Sequence, residues 1–329
     1  MELSLLLIFK IVASLVATLL LIGLFAELSW LTKLRLTASL LTGIILIGIL
    51  GWPLTKPADP FGAVSLAGHT ISFSDAVSLA ILAFFAGFIA YFLSWPQGRE
   101  IAVLAVPAGL AVWAVRSGTM AGLMQLNSTL PQRQALFATL KWEPLFWLAV
   151  VAVGFCGVSV AQKISLQKPE PQPKQQKSNS RTNKYLTVAI ALAASAFIAQ
   201  LFIRILAQDV RVADRSLGSV IAQPAIGQVI FALLVSFGLA GFIVKKFLDV
   251  SYIWPMISSV FIAAFGIITY AKLEVLEHVM QRWPAVFFPN AVISILPVQM
   301  VAFGALGSIA GYWLAVRYNY WRKHEMTAR

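Results

Sequence analysis

The sequence predicts an all-α integral membrane protein with about nine transmembrane helices. Three observations lead there. Of its 329 residues 59% are hydrophobic and only 12% charged, with a mean hydropathy of +0.83; a soluble chain carries about twice that charged fraction. Apolar runs long enough to cross a bilayer recur along the whole length. One polar stretch, Lys163–Lys184, interrupts them, with prolines at 169, 171 and 173 and an excess of lysine and arginine. Such a stretch buries too little apolar surface to offset its ordering entropy, so it reads as a flexible linker. A β-barrel would instead show apolar–polar alternation at period two.

The expected organisation is therefore a first block over 1–163, a basic linker over 164–184, and a second block over 185–329. The first span runs about Leu3–Leu24 and reads as a retained helix, since no basic leader precedes its apolar core. Glu27, Trp30, Lys33 and Arg35 read as an interfacial turn. The second span, about Leu36–Trp52, stops at Pro53, and a polar loop covers Thr55–Ser72. The third, about Phe73–Trp95, ends in a tight turn at Pro96–Arg99. The fourth is about Ile101–Val115. A longer segment, Arg116–Glu143, precedes the fifth, about Leu145–Ala161.

After the linker the sixth span is about Tyr185–Leu206. The seventh, about Ser219–Val244, carries Pro224 and closes at Lys245-Lys246. The eighth is about Tyr252–Ala271. Lys272–Pro289 separates it from the ninth, about Ala291–Val316, and the tail to Arg329 is basic. Seven tryptophans fall at or just beyond span ends, among them Trp52, Trp95, Trp142 and Trp283. An indole prefers that headgroup level.

Charge then predicts orientation. With nine spans, the side holding the linker and the C-terminus collects 15 basic and 5 acidic residues, and the other side 10 basic and 8 acidic. Positive connections stay in the cytoplasm. The linker and C-terminus are thus expected inside and the N-terminus outside, in a cytoplasmic (inner) membrane. The net charge of +12 serves orientation and meets anionic lipid headgroups at the cytoplasmic face, with no nucleic-acid partner implied.

The spans lay out as one extra helix plus two parallel four-helix repeats. Ala86-Gly87-Phe88-Ile89 in the third span matches Ala240-Gly241-Phe242-Ile243 in the seventh, and Met124-Gln125 matches Met280-Gln281. Short matches also arise by chance in apolar sequence, so true duplication and coincidence both stand at this point.

Motifs that carry chemistry are few. The single cysteine, Cys156, excludes an intrachain disulfide, and His69, His278 and His324 lack metal-ligand spacing. No cofactor motif is present; a glycine phosphate loop is excluded because no lysine follows at the right spacing. Gln200, Arg204, Gln208, Arg211 and Arg215 recur every three or four residues, one polar stripe if the sixth helix continues. Arg204 either lines a hydrated path or binds an anion, or it snorkels to the headgroups, with Asp209 and Asp214 placed to neutralise the lower arginines. Lys10 either snorkels or meets Asp75 near the start of the third span.

Gln223-Pro224, Gln228, Pro297 and Gln299 read as kinks or as broken helices with polar groups at depth. The outer segments read as amphipathic surface helices or as extensions of spans; in Leu273–Trp283 one face is apolar and the other carries Glu274, Glu277 and His278. Gly304, Gly307, Ser308 and Gly311 form a small-residue face that packs either within the chain or against a membrane partner or second copy. Gly154 and Gly157 do the same on the fifth span.

Two functions emerge as expectations. One is transport or permeation of a small solute between two helical blocks, along a polar path through Arg204, Gln200, Gln223, Gln228, Lys10 and Asp75. The alternative is a non-catalytic membrane subunit or scaffold of a larger complex. A membrane enzyme has the least support, because carboxylates and histidines are scattered rather than gathered at one depth.

Overall fold

The computed structural model describes residues 28–57, 59, 62–67, 71–165, 181–208, 210–283 and 287–327. The first span, Lys10, His69, Asp209 and most of the linker lie outside the described residues. Among these residues the chain is predominantly helical, and eight helices are long and apolar enough to cross a membrane.

In order, α1 (Trp30–Gly43) runs on through wider π-helical turns to Leu50, and α2 (Trp52–Thr55) follows. Next come α3 (Phe73–Leu93), the short α4 (Gly98–Ile101) leading into α5 (Ala105–Arg116), then α6 (Met120–Leu126), α7 (Leu130–Leu140) and α8 (Glu143–Ile164). The second half holds α9 (Arg181–Leu206), β1 (Arg211–Asp214), β2 (Gly218–Ala222), α10 (Ile226–Leu248), α11 (Ile253–Tyr270), α12 (Leu273–Arg282), β3 (Phe287–Phe288) and α13 (Pro297–Thr327). At 18 residues α11 is the shortest of the eight described spans.

Local chemistry sets these boundaries. Ser72 and Asp75 form a reciprocal capping box at the start of α3, with Ser72 N–H donating to Asp75 Oδ2 at 3.0 Å. Thr119 Oγ1 accepts from Gly122 N at the start of α6, and Gln132 Oε1 from Thr129 N at the start of α7. Pro144 and Pro297 stand in first turns, where a missing N–H costs nothing. Asp249 ends α10 in the left-handed conformation, φ 51°.

Several boundaries differ from the expected ones, each for a local reason. The seventh span begins at Ile226 and not near Ser219, because 218–222 is a strand. Pro224 therefore precedes its helix and does not break it. The ninth begins at Pro297 itself, after a run of turns over 291–294. Trp30, Lys33 and Arg35 belong to α1, whose start is capped by Ser29. Arg181–Lys184, counted with the linker, are already helical.

Two helix pairs approach by their glycines. In the first half α3 lies on α8: a Cβ on Gly87 would collide with the Gly154 carbonyl, and one on Gly157 with the carbonyl of Phe84. In the second half α10 lies on α13: a Cβ on Gly311 would collide with the Gly238 carbonyl, and one on Gly241 would sit 2.7 Å from the Ser308 carbonyl. Without a hydrophobic drive between helices in lipid, such close backbone contact is what holds them. The halves meet where α13 packs on α5 and α8, and α11 on α8. That shared core is apolar, with Trp113, Trp147, Phe137, Phe237 and Tyr270 among its largest buried side chains.

Candidate functional site

Polar chemistry gathers at the end of the bundle where α9 stops and α10 begins. The helical stripe expected over 200–215 does not form. Helix α9 ends at Leu206, and Arg211 and Arg215 fall on a hairpin. The hairpin pairs Arg211 with Ile221 and Asp214 with Gly218, which takes φ 75° after a three-residue turn. A third strand joins through Ile221 opposite Phe288.

The hairpin folds back so that Arg204, Gln208 and Arg211 line one cavity of about 320 Å³, completed by Ser219 and Asn290. Ile205, Leu217 and Ile221 supply its apolar wall. Arg204 and Arg211 make no hydrogen bond or ion pair with other described side chains. Arg215 sits exposed in the turn, outside this lining. Gln200 is half-buried one turn back along α9.

The glutamines are committed to backbone. Gln228 Nε2 donates to the carbonyls of Leu206 (2.8 Å) and Gln208 (3.0 Å), closing the C-terminal end of α9 from the neighbouring helix. Gln223 Oε1 accepts from Ala121 N (3.1 Å), while its Nε2 donates to Ser294 O (3.0 Å) and Pro224 O (3.3 Å). Gln299 Oε1 accepts from Leu296 N, and its Nε2 donates to Ala114 O at 3.1 Å. Gln223 and Gln299 thus stitch the second half to α5 and α6 of the first. Asp75 is occupied in the α3 cap, and Lys10 lies outside the described residues.

Asp214 does not neutralise the arginines. Its carboxylate accepts from Trp283 Nε1 (2.7 Å), from the backbone N–H groups of Ser216 and Leu217 (2.9 Å each) and from the Ser216 hydroxyl (2.9 Å). His278 Nε2 lies 3.0 Å from Asp214 Oδ2 and 2.7 Å from Ser216 Oγ. The Trp283 indole, the Leu217 amide and His278 hold the Asp214 carboxyl well below the usual carboxylate range. One ring nitrogen serves both partners, whereas a serine–histidine–aspartate relay uses opposite ring nitrogens. The cluster is a clasp between the hairpin and α12.

A second carboxylate is only faintly marked in the sequence. Glu143 is fully buried at the start of α8. Its Oε2 accepts from Ser65 Oγ (2.7 Å) and its Oε1 from Trp147 Nε1 (2.9 Å), pinning the 62–67 segment to the bundle. The one hint is the spacing of four between Glu143 and Trp147, which puts them on one helical face.

The small-residue face of Gly304, Gly307, Ser308 and Gly311 is covered by α10 and α11 of the same chain, on Phe237, Gly238 and Ser259. Among the described residues no three of His, Cys, Asp and Glu are arranged to hold a metal ion. The chain matches no family model, no curated protein and no solved structure in the comparisons made with each.

Proposed function

We propose that the chain carries a small solute across a cytoplasmic membrane, along a path that opens between its two halves. The observation that carries this reading is the seam between them. An apolar interface of α13 with α5 and α8 is tied on one side by Gln299 to Ala114 and by Gln223 to Ala121. A few neutral hydrogen bonds at about 1 kcal/mol each, set at the ends of rigid glycine-packed pairs, suit a joint that opens and recloses.

The plan of two equivalent blocks supports the same reading. The α3–α8 pair and the α10–α13 pair occupy the same ordinal positions in the two halves. Both place the glycine of an Ala-Gly-Phe-Ile sequence, Gly87 and Gly241, in close backbone contact with the partner helix. Parallel repeats about an axis along the membrane normal are a recurrent transporter design. With the first span added the count is nine, the linker and C-terminus lie in the cytoplasm, and the cavity at Arg204 opens as an outer vestibule. Gln223 and Gln228 are then joint and cap, not the lining of a pore.

Uptake by proteoliposomes, screened over small solutes of both charges, tests the proposal. Some solute should pass, and the paired change Gln223→Leu with Gln299→Leu should alter its rate. A screen without any passage sinks the reading. The alternative, a non-catalytic membrane subunit, draws on the outer edge of β1, unpaired among the described residues, which a partner's extended segment can extend; co-purification from the native membrane tests it.

A further inference from the structure

We infer that the cavity between α9 and the hairpin is a binding site for a phosphate ester, held by Arg204 and Arg211. The assignment names the ligand class of the vestibule; only the onward passage of a bound ester rests on the transport reading.

Among the described residues the charge lining the cavity is one-sided; Asp209 lies outside them. Two guanidinium groups line it, and both are permanently cationic. Asp214, the carboxylate of the same hairpin, is taken up by Trp283, His278 and backbone. The described ion pairs are Lys245–Asp249 and His278–Asp214, and neither involves Arg204 or Arg211.

The remaining polar groups are suited to donate. Asn290 Oδ1 accepts from Val292 N (2.9 Å) and Ile293 N (3.3 Å), which leaves its NH₂ to offer. Ser219 adds a hydroxyl. Two guanidinium forks, an amide NH₂ and a hydroxyl ask for a ligand with several acceptor oxygens and full negative charge, and a phosphate matches guanidinium forks bidentately. The apolar wall of Ile205 and Ile221 gives an attached organic group a place. At about 320 Å³ the space lies at the small end of the range for organic ligands, roughly 300–1,000 Å³.

The frame is built to hold this shape. Gln228 fixes the end of α9 that presents Arg204 and Gln208. The clasp at Asp214 fixes the hairpin that presents Arg211 and Ser219. Neither arginine takes part in those supports, so either can be changed without dismantling the frame.

The phosphate ester can come from water or from the headgroup of an outer-leaflet phospholipid, and two arms separate these sources. The full chain is placed in phosphatidylcholine nanodiscs and titrated calorimetrically with glycerol 3-phosphate. In parallel, nanodiscs containing phosphatidylglycerol are used, and lipid retained on release into detergent is counted by native mass spectrometry. Arg204→Gln and Arg211→Gln are each expected to weaken binding by about tenfold or more, with Lys272→Gln, an exposed cation elsewhere on the outer connections, without effect. Saturable glycerol 3-phosphate binding lost in both arginine variants supports a water-borne ligand. Phosphatidylglycerol retention lost in both, with no response to the soluble ester, supports a lipid headgroup. No binding in either arm, or binding that survives both variants, overturns the assignment. Uptake failing while binding persists would remove only the transport reading.

Discussion

Trp283 donates its indole N–H to Asp214 Oδ2 at 2.7 Å, joining two residues 69 positions apart. That bond ties the tip of the hairpin to the end of α12. The Asp214 carboxyl is held below its ordinary range, so its contribution is present above the unfolded pKa, about 3.9, and is lost only as pH falls through the lower folded value. Trp283 emission and amide protection over 212–219 should therefore stay level from pH 7 to about pH 5. In Asp214→Asn, exchange at those amides should be faster by about tenfold at neutral pH. Loosening of the wild-type hairpin between pH 6 and 5 would contradict this account.

Gly311 and Gly227 make a controlled pair. A methyl group on Gly311 meets the Gly238 carbonyl, while one on Gly227 meets nothing within 4 Å. Gly311→Ala should lower unfolding stability in detergent by about 1–3 kcal/mol. Gly227→Ala should be neutral or gain up to about 1 kcal/mol from helix propensity. A neutral Gly311→Ala would mean that α10 and α13 are not in backbone contact.

Ser65 and Trp147 are the two side-chain donors to buried Glu143. Trp147→Phe removes one donor from a buried carboxylate that also takes a backbone hydrogen bond from Leu66, at a cost of about 1–3 kcal/mol. Ser65→Ala should expose the 62–67 segment to limited proteolysis while the spans hold. If cleavage there matched the wild type, the pinning role of Ser65 would be refuted.

Gln223→Leu strands Ala121 N and Ser294 O, and Gln299→Leu strands Ala114 O. Each should destabilise by about 1–3 kcal/mol. The seam should loosen first, which cysteine pairs placed across α6 and the 291–294 turns would report as slower crosslinking.

Orientation is checked on intact cells. In a Cys156→Ser background, a Lys174→Cys substitution in the linker should resist an impermeant maleimide, whereas Arg215→Cys in the hairpin turn should react. The reverse pattern would invert the proposed topology.

Much of the architecture was legible because lipid imposes a simple rule. A spanning segment must be helical and apolar for about 20 residues, and that signal located all eight described spans. The misplaced starts share one cause. At 219–222 and 291–296 apolar residues form a strand and turns that pack against protein, and hydropathy does not separate protein burial from lipid burial. The candidate site was half legible. The spacing grouped Arg204, Gln208 and Arg211 by assuming a continuous helix; the hairpin instead brings them to one cavity. The distant partners of Gln223, Asp214 and Glu143 (Ala121 and Ser294, Trp283, Ser65) lie 69 to 102 residues away in sequence, and no local pattern encodes such pairings.

The brevity of α11 has a consequence for where this protein can reside. Its 18 residues rise about 27 Å, against about 31 Å for the 21 residues of α3. In a bilayer with a thick acyl layer, the charge of Lys272 would be drawn toward the tails at one rim, at a cost of a fraction of a kcal/mol for each ångström of mismatch. Short-chain or unsaturated lipids should therefore gather around this side of the molecule, and cholesterol-thickened membranes should exclude it.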